Sequence, residues 1–208
     1  METTVPPTEF KESYDCPPGF IGRKVVYYNL HDSRWEKSDY FYADESLPPG
    51  ELWETGCVPT TLAEAVSTLH GISIYPHQVA EIIRPAHTLD GTVVDKAVDI
   101  TSHFYGIELV DKLEKDEPVD ATKLAHYLAD GRVVVVSFND DSPFTNTAHV
   151  IIVRAISEDL QHFMVVDNND TADYQEGKLP NRNETVFDMA DLPGWRKNGV
   201  WVLGLPTA

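Results

Sequence analysis

Residues 54–71 constrain the fold of this chain more than any other stretch, because they predict a tight turn, a cysteine and then a helix. Gly56 gives the backbone freedom just before Cys57, and Pro59 suits a first helical turn, where its missing N–H is not needed. Apolar residues recur with helical spacing on one side: Leu62, Ala65, Val66 and Leu69. Polar residues fill the other side: Thr61, Glu64 and Thr68. Gly71 stands where a left-handed helix cap is expected.

The chemistry of Cys57 follows from its place at the start of this helix. Unpaired N–H groups and the helix dipole favour an anion there. Such a position, with a histidine nearby, lowers a thiol pKa from about 8.5 toward roughly 3.5–7.5. Because the thiolate is the nucleophile, Cys57 is a candidate for covalent catalysis. The alternative is that Cys57 is a small buried apolar residue.

Length and charge bound the class of protein. The chain has 208 residues, enough for one domain, and no apolar run of the length that a transmembrane helix needs. Its 16 basic and 34 acidic residues give a net charge of −18. We therefore expect no nucleic-acid and no membrane partner, and either a basic peptide substrate or simply a solvated acidic surface. The start lacks a signal peptide, so we expect a cytoplasmic protein, or one exported after its signal is removed.

Metal and disulfide sites have little support. The only cysteines are Cys16 and Cys57, and a bridge between them would consume the thiol that the helix start presents. No pair of closely spaced cysteines suggests zinc. The acidic run 167–170 hints at calcium, but Ala172 and Lys178 stand where a calcium-binding loop needs glycine and glutamate. We therefore expect no metal and no cofactor.

The order of patterns predicts an α+β fold, with an N-terminal helical part packed on a mostly antiparallel sheet. Residues 1–22 are predicted to be an extended or disordered arm, and residues 23–208 a single domain. After the cysteine helix, helices are predicted at 75–84, 92–105 and 120–129. Strands are predicted at 24–28, 107–110, 132–138, 148–156, 162–167 and 199–203.

His149 and Asp167 are the candidate partners of the thiol. His149 begins the most apolar strand, where a polar ring needs a reason, although a satisfied core histidine is the alternative. Asp167 ends the next strand. A hairpin turn centred near Glu158 would set the two directly opposite each other, with their Cβ atoms about 5 Å apart. A carboxylate there would orient the imidazole, and Asn168 and Asn169 are fallback orienters.

These blocks together resemble the papain-like cysteine peptidases of the family-39 type, the bacteriocin-processing peptidases that cleave double-glycine leaders, and their stand-alone relatives. The similarity extends over roughly residues 25 to 205. It rests on these segments: 30–35, 55–63, 131–135, 148–153 and 165–167. The resemblance implies a papain-like fold, Cys57 as nucleophile, His149 as general base, Asp167 as orienter, and an oxyanion-hole glutamine upstream of the cysteine.

The chain departs from that pattern at two positions. Leu30 aligns with the glutamine and cannot donate a hydrogen bond, and Val58 replaces the glycine that usually follows the cysteine. Loss of one oxyanion donor costs about 2.7–4 kcal/mol of transition-state stabilisation. Asn29 and the backbone N–H of Cys57 are the candidate donors, with His31 also nearby.

Three hypotheses follow. The first is a cysteine-dependent hydrolase that cleaves a peptide or isopeptide amide of a peptide or protein substrate through a thioester. The second keeps the Cys-His-Asp triad in an acyltransferase or an amidase. The third is a non-catalytic relative that binds peptides, which the residues at positions 30 and 58 motivate.

Overall fold

The fold is α+β, as the sequence predicts. A computed structural model describes residues 12–169 and 182–207. The helices are α1 (Leu52–Thr55), α2 (Cys57–His70), α3 (Pro76–Ile82), α4 (Val94–Tyr105), α5 (Ala121–Ala129) and α6 (Leu192–Trp195). The strands are β1 (Glu12–Tyr14), β2 (Phe20–Gly22), β3 (Val25–Tyr27), β4 (Asp39–Tyr40), β5 (Gly50–Glu51), β6 (His87–Thr88), β7 (Gly91–Thr92), β8 (Glu108–Glu114), β9 (Val133–Phe138), β10 (His149–Ser157), β11 (His162–Val166), β12 (Phe187–Asp188) and β13 (Arg196–Gly204).

The main sheet is antiparallel and covered on both faces. Its strands run in the order β12-β11-β10-β9-β13-β8, and β2 pairs with the second half of β10. Every residue of β9 and β10 is buried. Helices α2, α3 and α4 contribute to the core on one face of the sheet, while α5 and α6 cover the other face. The N-terminal helices therefore pack on the sheet as expected, and α5 forms a second helical layer on the opposite face of the sheet.

Helix α2 begins at Cys57 and ends before Gly71, whose φ of 70° makes it the left-handed cap that the sequence predicts. The reason for Gly56 differs from the prediction. Its φ is −85°, which any residue adopts, but a Cβ there would collide with the carbonyl oxygen of Leu52. Gly56 thus provides space for the turn that delivers Cys57.

The polar side of α2 is buried as deeply as its apolar side. Thr68 Oγ1 accepts a hydrogen bond from the backbone N–H of Val26 at 2.9 Å, and Glu64 Oε1 accepts one from Tyr28 at 3.0 Å. Thr61 Oγ1 donates to the carbonyl of Val150 at 2.6 Å. These bonds link α2 to the β3 segment on one side and to β10 on the other.

The hairpin of β10 and β11 has a different register from the predicted one. A bulge at Arg154 shifts the pairing by one residue, and the last pair toward the site is Ile152 with Val166. Continuing that register sets Asp167 beside Ile151, two residues from His149, rather than directly opposite it. Without the bulge Asp167 would face the other side of the sheet, since side chains alternate along a strand.

The described part of the predicted arm, residues 12–22, contributes strands to the body of the protein. β1 pairs with β3 and β2 pairs with β10, while residues 1–11 lie outside the described residues. Both cysteines are free thiols, and Cys16 Sγ contacts the carbonyl of Phe20 at 3.3 Å. Among the described helices, none has the length and apolar character to cross a membrane.

Candidate active site

Cys57 lines a cleft of about 670 Å³, to which the start of α2 and the start of β10 both contribute. Its side chain is partly buried, so the thiol is reachable from the cleft. His149 lines the same cleft from the first position of β10 and is 4% exposed. Helix and sheet therefore each bring one reactive side chain to a common space.

His149 contacts both of the other candidates. Its Nε2 donates to Asp167 Oδ1 at 2.8 Å, and its side chain also hydrogen bonds to Cys57. Because a carboxylate accepts only, Nε2 carries a proton, and Nδ1 is the ring nitrogen left for the sulfur. The structure thus brings together Cys57, His149 and Asp167, the three residues that the sequence singles out.

The charges of these groups are mutually stabilised. Burial by itself raises the pKa of the Cys57 thiol, but the hydrogen bond and charge of His149, with the backbone N–H groups of Val150 and Val58, hold the pKa below its ordinary value. Burial likewise lowers the pKa of His149, but the charge and hydrogen bond of Asp167 and the contact with Cys57 raise it to about 10. A thiolate beside an imidazolium is the state that this arrangement favours.

Asp167 is fully buried and held on several sides. Its Oδ1 accepts from the backbone N–H of Asn169 at 2.9 Å, and its own N–H donates to Asn183 Oδ1. Its Oδ2 forms a 2.9 Å ion pair with Arg182 Nε, which is not aligned as a hydrogen bond. Burial raises the pKa of Asp167, but His149, Arg182 and the N–H of Asn169 together keep it below its ordinary value.

Arg182 and Asn183 are supports that the sequence does not identify. Arg182 is fully buried and donates to the carbonyl oxygens of Phe144 at 2.7 Å and Asn169 at 2.6 Å. It therefore anchors the loop before His149 to the strand end that bears Asp167. A polar segment after a strand carries no periodic signal, so nothing in the sequence distinguishes these two residues from surface residues.

The two fallback orienters have other contacts. Asn168 Nδ2 donates to Thr61 Oγ1 at 2.8 Å and to the carbonyl of Cys57 at 3.3 Å. Asn169 Oδ1 lies 2.9 Å from His31 Nε2. Within residues 12–169 and 182–207, neither amide hydrogen bonds to the imidazole, whose orienting contact is with Asp167.

Of the two candidate oxyanion donors, Cys57 lines the cleft in the described part of the chain and Asn29 does not. Asn29 Oδ1 accepts from the backbone N–H of His31 at 2.8 Å. Leu30 and His31 both line the cleft, and Leu30 is 3% exposed. The backbone N–H of Cys57 lies in the first turn of α2, where helical N–H groups have no partner in the helix. It is the donor closest in sequence to the sulfur.

The cleft has an acidic and aromatic wall. Trp53 is 40% exposed on it, and the His31 ring lies 6.0 Å from the Trp53 ring. Its charged lining residues are acidic: Glu54, Asp90 and Asp140. Neither lysine nor arginine lines it in the described part of the chain. The described residues also contain no group of three or more His, Cys, Asp or Glu side chains placed to hold a metal ion.

Comparison with known proteins identifies the family. The sequence profile of the Peptidase_C39-like family matches residues 25–188, well over half of the chain. The peptidase domain of Streptococcus ComA, a bi-functional ABC transporter involved in quorum sensing, is 12% identical with a TM-score of 0.46, over 74% of this chain and 93% of that one. A structure described as a C39-like peptidase from Bacillus anthracis is 14% identical with a TM-score of 0.45, over 72% and 88%. No curated protein matches. The profile match confirms the family resemblance, and the chain, whose fold is α+β, belongs to the Peptidase_C39-like family.

Proposed function

We propose that this protein is a cysteine-dependent hydrolase that cleaves a peptide or isopeptide amide bond through a thioester. The observation that supports this most is the position of His149, which bonds to Asp167 through Nε2 and contacts Cys57 on its other side. Membership of a peptidase family favours a peptide or protein as substrate.

In the first half of the reaction, the Cys57 thiolate attacks the carbonyl carbon of the scissile amide. The negative charge that develops on the carbonyl oxygen is stabilised by the backbone N–H of Cys57. The His149 imidazolium then gives its proton to the leaving nitrogen, and the C–N bond breaks. The amine departs, and the acyl group stays on the sulfur as a thioester.

In the second half, neutral His149 takes a proton from a water molecule, whose oxygen attacks the thioester carbonyl. The C–S bond breaks, the acid product leaves, and the sulfur returns as a thiolate beside the imidazolium. Asp167 keeps the ring in the orientation and tautomer that both halves require. Its burial and its contact with Arg182 fix that carboxylate in place.

Peptide cleavage tests this proposal directly. A library of peptides derived from a bacterial proteome is incubated with the wild-type protein and analysed by mass spectrometry for new termini. The wild type is expected to generate new termini, Cys57→Ala none, and the matched control Cys16→Ala the wild-type set. Identical digests from the wild type and Cys57→Ala would contradict the proposal. Added primary amines distinguish hydrolysis from acyl transfer, because amide products would indicate a transferase.

A further inference from the structure

Glu64 is a buried acid that the proposed reaction does not use. It is fully buried on α2, seven residues after Cys57. Its Oε1 accepts from the backbone N–H of Tyr28 at 3.0 Å, whereas no group in the described ranges donates to its Oε2. Nor does any described lysine or arginine form an ion pair with it. A lone carboxylate in such a place is costly unless it carries a proton.

Asn168 lies beside Glu64, because its side chain bonds to Thr61, one turn before Glu64 on α2, and also contacts Glu64 itself. It too has a buried oxygen that lacks a donor among the described residues. Its Nδ2 faces Thr61 Oγ1 and the carbonyls of Cys57 and Val150, at 2.8, 3.3 and 3.5 Å. Carbonyl oxygens only accept, so the amide nitrogen must stand on that side, and a flipped amide would set oxygen against oxygen. Its Oδ1 is then a buried acceptor to which no described residue donates.

A single proton on Glu64 Oε2 gives a hydrogen-bond partner to both buried oxygens, Glu64 Oε2 and Asn168 Oδ1. We propose that Glu64 is a positioning residue, held in its neutral carboxylic-acid form so that Oε2–H donates to Asn168 Oδ1. Oxygen atoms that both only accept repel each other, whereas the protonated acid supplies the missing donor. Since the consequence for catalysis is defined only if Cys57 is the nucleophile, this inference rests on the proposed function.

The effect of this bond is to lock three segments of the chain together at the site. Glu64 holds the backbone of Tyr28, and Asn168 holds the carbonyl of Cys57 and accepts from the N–H of Leu30 at 2.7 Å through its own carbonyl. The start of α2 is thereby fixed against the strand end that carries Asp167.

The titratable groups that act on Glu64 agree with a neutral acid. From the β3 segment, β10 and the end of β11 these are Tyr28, His149 and Asp167. Burial is the main reason that the pKa of Glu64 lies well above its ordinary value, and the negative charge of Asp167 adds to it. The charge of His149 acts in the opposite direction and is outweighed. An Asn168 N–H donated to Glu64 would also lower this pKa, but Asn168 Nδ2 is used by Thr61 and by the carbonyl of Cys57, so Oδ1 faces Glu64 and favours the neutral acid.

Infrared spectroscopy of the intact protein tests the protonation state without reference to activity. The wild-type minus Glu64→Gln difference spectrum at pH 7 is expected to contain the carbonyl band of a protonated carboxyl group, and labelling glutamate with carbon-13 should shift it. A difference spectrum with only carboxylate bands would overturn the inference while leaving the proposed hydrolase untouched.

Alkylation of Cys57 tests the positioning role. In Glu64→Gln the new N–H₂ donates to Asn168 Oδ1 and the amide oxygen still accepts from Tyr28, so the pH profile of iodoacetamide labelling should match the wild type. Glu64→Leu should slow labelling at pH 6 by about tenfold for each unit by which the Cys57 pKa rises, since a displaced α2 start weakens the contact with His149 that keeps this thiol ionised. Thr60→Val is the matched control, because Thr60 is equally buried on α2 and its hydroxyl has no described partner. Equal impairment by Gln and Leu would overturn the inference. If Leu prevents folding, the Gln variant and the infrared band decide it.

Discussion

Asp167 reaches His149 at 2.8 Å because the strand that carries His149 has a bulge at Arg154. The bulge shifts the β10–β11 register by one residue and brings Asp167 to the face of the sheet on which His149 lies. The Arg154 guanidinium is buried and donates to the carbonyls of Val165 at 3.1 Å and Asn183 at 2.9 Å. The geometry of the candidate active site thus depends on a local irregularity of the sheet.

The pH above which kcat/KM falls should depend on the negative charge of Asp167. In the wild type, loss of the His149 proton near pH 10 ends the thiolate–imidazolium state and lowers kcat/KM. Asp167→Asn removes the main group that raises the pKa of His149, so the alkaline limb should move to lower pH. The acid limb, which reports the lowered pKa of Cys57, stays below the ordinary thiol value in the wild type. The pH profile of peptide cleavage measures both limbs, and an unmoved alkaline limb in Asp167→Asn would contradict the assignment.

Arg182 should contribute more to the free energy of unfolding than an exposed lysine does. Arg182→Met removes the partner of a fully buried carboxylate, a change that costs about 3–5 kcal/mol of unfolding free energy. Lys24→Met is the matched control, since Lys24 pairs with Asp15 at 3.4 Å with both side chains largely exposed. Such surface pairs contribute about 0–1 kcal/mol. Denaturant unfolding compares the two, and equal losses would show that Arg182 is not a buried support.

The pH dependence of stability should report the proton on Glu64. An ordinary glutamate has a pKa of 4.5, and that of folded Glu64 is raised well above it. Above pH 4.5 the unfolded chain releases this proton while the folded chain keeps it, so the stabilisation present below 4.5 declines as pH rises toward the folded pKa. Glu64→Gln has no proton to lose and should gain on the wild type by about 1.4 kcal/mol per pH unit in that range. Parallel stability curves from pH 5 to 7 would contradict a neutral Glu64.

The acidic wall of the cleft should select basic substrates. Peptides with lysine or arginine near the cleaved bond should have a lower KM than acidic analogues, and added salt should reduce the difference because it screens exposed charges. Asp140→Asn should raise KM for the basic peptides with little change in kcat, since Asp140 lines the cleft. Glu158→Gln, an exposed change at the β10–β11 turn, is the control. Equal KM values for basic and acidic peptides would contradict a role of these acidic residues in substrate selection.

Much of the frame was readable from local patterns. The helix that begins at Cys57, its cap at Gly71 and the apolar strand that begins at His149 are each encoded within a few residues, so periodicity and cap signals suffice to place them. Their mutual packing follows the order of helices and strands along the chain.

The residues that hold the candidate active site in place could not be predicted from local sequence patterns. The bulge at Arg154 depends on partners far along the chain, and the burial of Arg182 depends on the loop before His149. Glu64 falls on the polar side of an amphipathic pattern, which does not reveal that this side packs against β3 and Asn168. Long-range contacts of this kind have no local sequence signal.

The central claim is that Cys57 is held as a thiolate by His149, and competitive alkylation tests it most directly. Burial raises the pKa of Cys16, and the charge of Arg154 only partly offsets that effect, so Cys16 is the internal reference. At pH 6, limiting iodoacetamide should label Cys57 far faster than Cys16, as followed by peptide mass spectrometry, and His149→Ala should remove the advantage. Equal slow labelling of both thiols in the wild type would contradict the account.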